Sequence, residues 1–170
     1  GGAPIETDRL SDVKNMFQKG PFSATLRPSP TGPPGNAQDH MNPANSASDA
    51  RRTVLVVDDF DDTRLLLRTW FERRGFRVIE AENGVQAINR AETEAPDLII
   101  MDVQMPQLDG LAATRQIRNV KQLGSVPIVA VSAYGADQFR ELALAAGCDE
   151  YVSTPFEPST LEGIVRALVH

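Results

Sequence analysis

The sequence holds a single cysteine, Cys148, which excludes an internal disulfide and suits a reducing compartment. It lacks any apolar run long enough to cross a bilayer. No hydrophobic segment follows basic residues near the start, as a secretory signal would require. These absences point to the cytoplasm and away from a membrane. A basic patch is missing as well. Of the 17 basic and 23 acidic side chains, residues 1–50 carry four basic (Arg9, Lys14, Lys19, Arg27) and five acidic, leaving 13 and 18 for residues 51–170. An acidic domain is poorly suited to a phosphate backbone, so direct nucleic-acid binding is not expected. What is present, 170 residues at 41% hydrophobic content, has room for one soluble domain with a proper core.

The chain has two textures. Residues 1–50 hold seven of the twelve prolines, among them Pro28, Pro30, Pro33 and Pro34, with Gly, Ser and Asn between them. Such a segment buries too little apolar surface to offset its ordering entropy, so it reads as a disordered tail, a linker or a cloning remnant. Leu10, Val13 and Phe17 stand at helical spacing within 8–18 and would allow a turn or two of amphipathic helix. The Gly-Gly start without an initiator Met points to processing or an expression remnant, with Met41 as a natural start.

Residues 51–170 are regular. The β-branched and apolar run 53–57 predicts a strand buried on both faces, and shorter strands follow at 77–80, 98–101, 128–131 and 150–153. Between and after them the spacing predicts helices over 61–74, 83–94, 109–120, 136–146 and 157–169. Strand and helix thus alternate through short links, the pattern of an α/β domain with a parallel sheet and helices on both faces. Sheets of this kind bind ligands beyond the carboxyl ends of their strands. The residues there are Asp58 and Asp59, Asp102, Ser132 and Thr154.

If the first and third strands are adjacent, the three carboxylates at their ends repel one another unless a cation sits among them. Oxygen-only donors with open positions favour Mg²⁺, which commonly bridges to phosphate. Such an ion would let a carboxylate attack a phosphoryl group and form an acyl phosphate. The bland alternative for Asp58 and Asp59 is capping of the next helix, whereas Asp109 serves the helix after Asp102 better than Asp102 itself.

The runs Val54–Phe60, Asp102–Gly110, Pro127–Ala133, Gly147–Val152 and Pro155-Phe156 stand in an order and spacing that resembles the receiver domains of two-component response regulators, across about residues 52–169. The resemblance implies a flavodoxin-like, CheY-like fold: a doubly wound five-stranded parallel sheet of strand order 2-1-3-4-5. It implies Asp102 as phospho-acceptor, with Mg²⁺ held directly by Asp59, by Asp58 through water or as a supporting acid, by Asp102 and by the Gln104 carbonyl. It further implies that Ser132 contacts the phosphoryl oxygens and that Tyr151 swings inward when Ser132 is drawn toward them. Phe60 and the outer face of the following helix resemble the surface where a histidine kinase or histidine phosphotransfer protein docks. Read singly, Ser132 suits a helix cap and Tyr151 suits half-buried packing. Cys148 and Trp70 read as core.

One position departs from the family. Thr154 stands where receivers carry a lysine that contacts the phosphoryl group, and no other basic residue is an evident replacement. A charge-assisted contact of about 1.5–3 kcal/mol is then missing. The leading expectation is a receiver, not an enzyme, that signals to a downstream protein target by contact. The alternative is a phosphorylation-independent binding module. A phosphohydrolase is disfavoured for want of a further acid and a cap domain.

Overall fold

The computed structural model describes residues 51–133 and 137–169, so the readings of 1–50, including the helix at 8–18, lie outside the described residues. Strands β1 (Thr53–Val57), β2 (Arg77–Ala81), β3 (Leu98–Asp102), β4 (Ile128–Ser132) and β5 (Glu150–Ser153) form one sheet in the order β2-β1-β3-β4-β5. Every neighbouring pair is parallel. The connecting helices are α1 (Asp61–Glu72), α2 (Gly84–Glu94), α3 (Gly110–Asn119), α4 (Asp137–Ala146) and α5 (Pro158–Leu168).

Side chains alternate along each strand, so one apolar run serves two cores. Val54, Val56, Leu98, Ile100, Val129 and Val152 pack with Leu67, Trp70 and Phe71 of α1 and with Leu161 and Val165 of α5. Leu55, Val57, Ile99, Met101, Ile128 and Ala130 pack with Ala87 and Ala91 of α2, Ala113 and Ile117 of α3, and Ala143 of α4. Each large buried side chain contributes about 1.5–3 kcal/mol. Trp70 lies in the first of these cores, edge-on to Phe71.

The helix starts follow local chemistry. Asn83 and Asp109 cap α2 and α3, their side chains accepting from the amides of Gln86 and Ala112. Helix α1 ends at Glu72, short of the expected 74, because Arg74 and Gly75 close a turn onto Phe71 and Glu72, with Gly75 at φ +85°. Strands β3 and β4 run one residue longer than expected, since Asp102 pairs with Val131 and Ser132 with Ser153. Those two chemical residues therefore belong to the sheet, where pairing limits their movement.

At the opposite edge, Arg118 ties the loops together. Its guanidinium donates to the carbonyls of Gly147, Leu123 and Val126 and pairs with Asp149 at 2.8 Å. Asp149 in turn accepts from the amide of Ile128. The amino ends of β4 and β5 are thus clasped, and the carboxyl ends of the strands are left to form a site.

Candidate functional site

The chain leaves β1 for β2 on one side and later enters β3 on the other, so strand order reverses between β1 and β3. That reversal opens the crevice in which such sheets bind ligands. Because Val57 is paired with Met101, the residues that follow each of them are forced together. Asp58, Asp59 and Asp102 each offer a carboxylate oxygen, all within 4.8 Å of one another. Asp102 is 2% exposed and Asp58 is also buried.

Backbone amides hold two of these acids. Asp58 Oδ1 accepts from the amide of Phe60 at 2.8 Å, and Asp102 Oδ1 from that of Gln104 at 3.0 Å. Both are tight side-chain turns of the kind aspartate favours. The cap position of α1 is Phe60, whose side chain makes no capping hydrogen bond. Like charges near 5 Å repel by about 3 kcal/mol per pair at an effective dielectric of ~20. The donor set fits a hard divalent ion. Ligand oxygens around one Mg²⁺ stand about 3–4 Å apart, so small side-chain rotations would gather these three.

Toward β5 the edge carries hydroxyls. Ser132 is 1% exposed and ends β4 as a paired residue beside Asp102's strand. Its carbonyl accepts from the Thr154 amide at 2.8 Å, and Thr154 Oγ1 lies 3.5 Å from the same oxygen. Thr154 is half-buried and precedes a cis bond to Pro155. Tyr151 pairs with Ala130 and is buried in the core on the α2–α4 face, more deeply than half-buried packing would place it. The structure thus brings Asp58, Asp59, Asp102, Gln104, Ser132 and Thr154 to one edge, with Tyr151 one strand step below.

Two residues of this edge were not singled out from the sequence. Gly110 donates its amide to Val103 O, and a Cβ built on it would lie 2.0 Å from Asp102 O. The Asp-Gly pair at a helix start was a signal for such a close approach. Arg64 is the other. It is 7% exposed, donates Nη1 to the Asp58 carbonyl at 2.7 Å and pairs Nη2 with Asp61. Glu80 and Glu82 lie 3.7 and 3.8 Å from the same guanidinium. Arginine on the stripe of Leu67 and Phe71 was the available signal, since positions three and seven apart share a helix face.

Cys148 lies apart from this edge, buried, with Sγ 3.7 Å from Thr114 Oγ1. Burial pushes its thiol above the usual range.

Residues 54–166 match the response regulator receiver domain family, and the chain belongs to that family. It is 38% identical over 118 residues to the alkaline phosphatase synthesis transcriptional regulatory protein PhoP of Bacillus subtilis, which covers 69% of this chain and 48% of PhoP. The chain therefore spans about half the length of that relative. It is 32% identical over 114 residues to the polar-differentiation response regulator DivK of Brucella anthropi, covering 66% of this chain and 93% of DivK. Among solved structures, the receiver domain of sensor histidine kinase PA1611 from Pseudomonas aeruginosa superposes with a TM-score of 0.66 at 33% identity, covering 71% of this chain and 98% of that one. That structure has a magnesium ion coordinated in its active-site cleft.

Proposed function

We propose that this receiver domain accepts a phosphoryl group on Asp102 from a histidine kinase or histidine phosphotransfer protein. An oxygen of the Asp102 carboxylate attacks the phosphorus of a phosphohistidine. The O–P bond forms as the P–N bond breaks, and the imidazole nitrogen leaves with the electron pair and takes up a proton. Asp58, Asp59, Asp102 and the Gln104 carbonyl would hold Mg²⁺, which would screen the acids from the incoming phosphoryl oxygens. The single observation that carries this reading is the convergence of Asp58, Asp59 and Asp102 within 4.8 Å at the strand-order reversal. The magnesium in the related PA1611 receiver supports the same choice of ion.

The remaining roles are those the family resemblance implies. Ser132 turns its side-chain hydroxyl toward a phosphoryl oxygen while its backbone stays paired, and Tyr151 reports that rotation to the surface around β5, a two-state element biased by one charge event. Thr154 offers a short uncharged hydroxyl in place of the family's lysine. The histidine-bearing partner docks at Phe60 and the outer face of α1, where Leu65 is 58% exposed. The effect on a downstream protein is by contact, so the domain is a signalling acceptor in the cytoplasm and not a turnover enzyme. Among the described residues no helix is long and apolar enough to cross a membrane.

The absent lysine is the one observation favouring a second reading, a binding module that is never phosphorylated. Borohydride separates the two. It reduces an aspartyl phosphate to homoserine, so peptide mapping after phosphodonor treatment should find homoserine at position 102. Unmodified Asp102 throughout would favour the binding module.

A further inference from the structure

Asp58 is fixed at every polar point of its backbone. Its amide donates to Ala81 O at 3.2 Å, its side chain accepts from Phe60, and its carbonyl accepts Arg64 Nη1 at 2.7 Å. That carbonyl belongs to the peptide joining Asp58 to Asp59. Whatever holds the oxygen holds the plane of the peptide, and with it the direction in which Asp59 leaves the backbone. The holding group is a buried guanidinium two of whose carboxylate partners are largely in water, Asp61 at 89% and Glu82 at 63% exposed, while the third, Glu80, stands off at 3.7 Å and is 35% exposed. Pairs with such exposed acids contribute little to stability by themselves. The exposed acids therefore do not account for an arginine in the apolar stripe of α1, whereas its short bond to Asp58 O does.

We propose that Arg64 is the positioning residue of the acidic edge, fixing the Asp58–Asp59 peptide so that both carboxylates face Asp102, resting on the reading of that edge as a Mg²⁺ site. The guanidinium suits this task because its rigid fork reaches the Asp58 carbonyl with one nitrogen while the other is braced by Asp61. A lysine at the same place would keep the charge and lose the brace.

The proposal has a sign that a purely electrostatic role does not share. A cation close to three carboxylates opposes the binding of a second cation, so if charge alone mattered, removing Arg64 would tighten Mg²⁺ binding. If positioning dominates, removal weakens it. The experiment is calorimetric titration of Mg²⁺ into the whole chain and into Arg64→Met and Arg64→Lys, beside apo thermal midpoints and amide spectra. Arg64→Met is expected to bind Mg²⁺ about tenfold more weakly (~1.4 kcal/mol). The Asp59 amide resonance should shift even without metal, and Arg64→Lys should recover only part of the affinity. A merely structural arginine would lower the apo midpoints and leave the affinity of the folded protein as it was. Should Arg64→Met fail to fold, Arg64→Lys decides, since it keeps the charge: weaker Mg²⁺ binding supports positioning and unchanged binding overturns it. Wild type binding Mg²⁺ while the folded variants bind equally or more tightly overturns the positioning role alone. A wild type that takes no Mg²⁺ overturns the reading of the site together with it.

Discussion

Gly110 lies against Asp102 so closely that a Cβ on it would stand 2.0 Å from the Asp102 carbonyl oxygen and 2.9 Å from the carbonyl carbon. The obstacle is backbone in a paired strand, which has no rotamer to change. Gly110→Ala must therefore push α3 away or displace Asp102. Overpacking of this kind costs about 1–3 kcal/mol, and more when the neighbour is rigid. Urea unfolding should show that loss, with a matching fall in the rate of Asp102 modification. A Gly110→Ala chain with wild-type stability would mean that the loop after β3 is much looser than this packing indicates.

The crowding of Asp58, Asp59 and Asp102 should be visible without any metal. Replacing one charge relieves repulsion, so Asp59→Asn is expected to raise the apo midpoint by the equivalent of about 1 kcal/mol or more. The same change should abolish stabilisation by Mg²⁺, which for wild type would reach about 2.7 kcal/mol at a hundred times the dissociation constant. Thermal scans with and without Mg²⁺ test both halves. An Asp59→Asn chain less stable than wild type, yet still stabilised by Mg²⁺, would contradict the arrangement.

Thr154 makes a further sign available. Its amide is bonded to Ser132, so a longer side chain at 154 starts from a fixed backbone beside the acids. Thr154→Lys should stabilise the apo protein, weaken Mg²⁺ binding by competition, and speed phosphorylation at low Mg²⁺. The contact it restores is worth about 1.5–3 kcal/mol. Rates of acetyl phosphate labelling across a Mg²⁺ series would show this, and unchanged rates would mean that lysine at 154 does not reach the acceptor.

Cys148 gives a pH dependence. Burial raises its folded thiol above the unfolded value, so its contribution is intact below an unfolded thiol pKa of about 8.5 and is lost as pH rises through the folded value. Wild type should therefore lose stability relative to Cys148→Ala as pH climbs above the unfolded thiol pKa of about 8.5. Paired urea titrations measure it; a difference independent of pH would show the thiol to be solvated when folded. Slow alkylation of native Cys148 should accompany the effect.

Much of this was legible because the information was local. The runs at 53–57 and 98–101 read as strands, the first with both faces covered, and the acids at their ends read as chemistry. Strand order and the meeting of Asp58 with Asp102 came from the family resemblance and were met in the register of Val57 with Met101. Arg64 escaped attention because an arginine in a helix ordinarily lies in water. Only the packing of α1 against β1 and β2 turns it toward the Asp58 carbonyl. The role of Gly110 depended on how closely the start of α3 approaches β3, a distance that no residue pattern states. The extra strand residues Asp102 and Ser132 were missed for a related reason, since polar strand ends look like loop until their pairing is seen.

Asp102 is expected to take a phosphoryl group with the help of a metal held by its acidic neighbours. Intact-protein mass after incubation with acetyl phosphate tests it most directly, with Mg²⁺ present or chelated and with Asp102→Asn as the control. The expected result is a gain of one phosphoryl group in wild type that disappears on chelation and in the variant. No gain in wild type at saturating Mg²⁺, or an equal gain in Asp102→Asn, would contradict it.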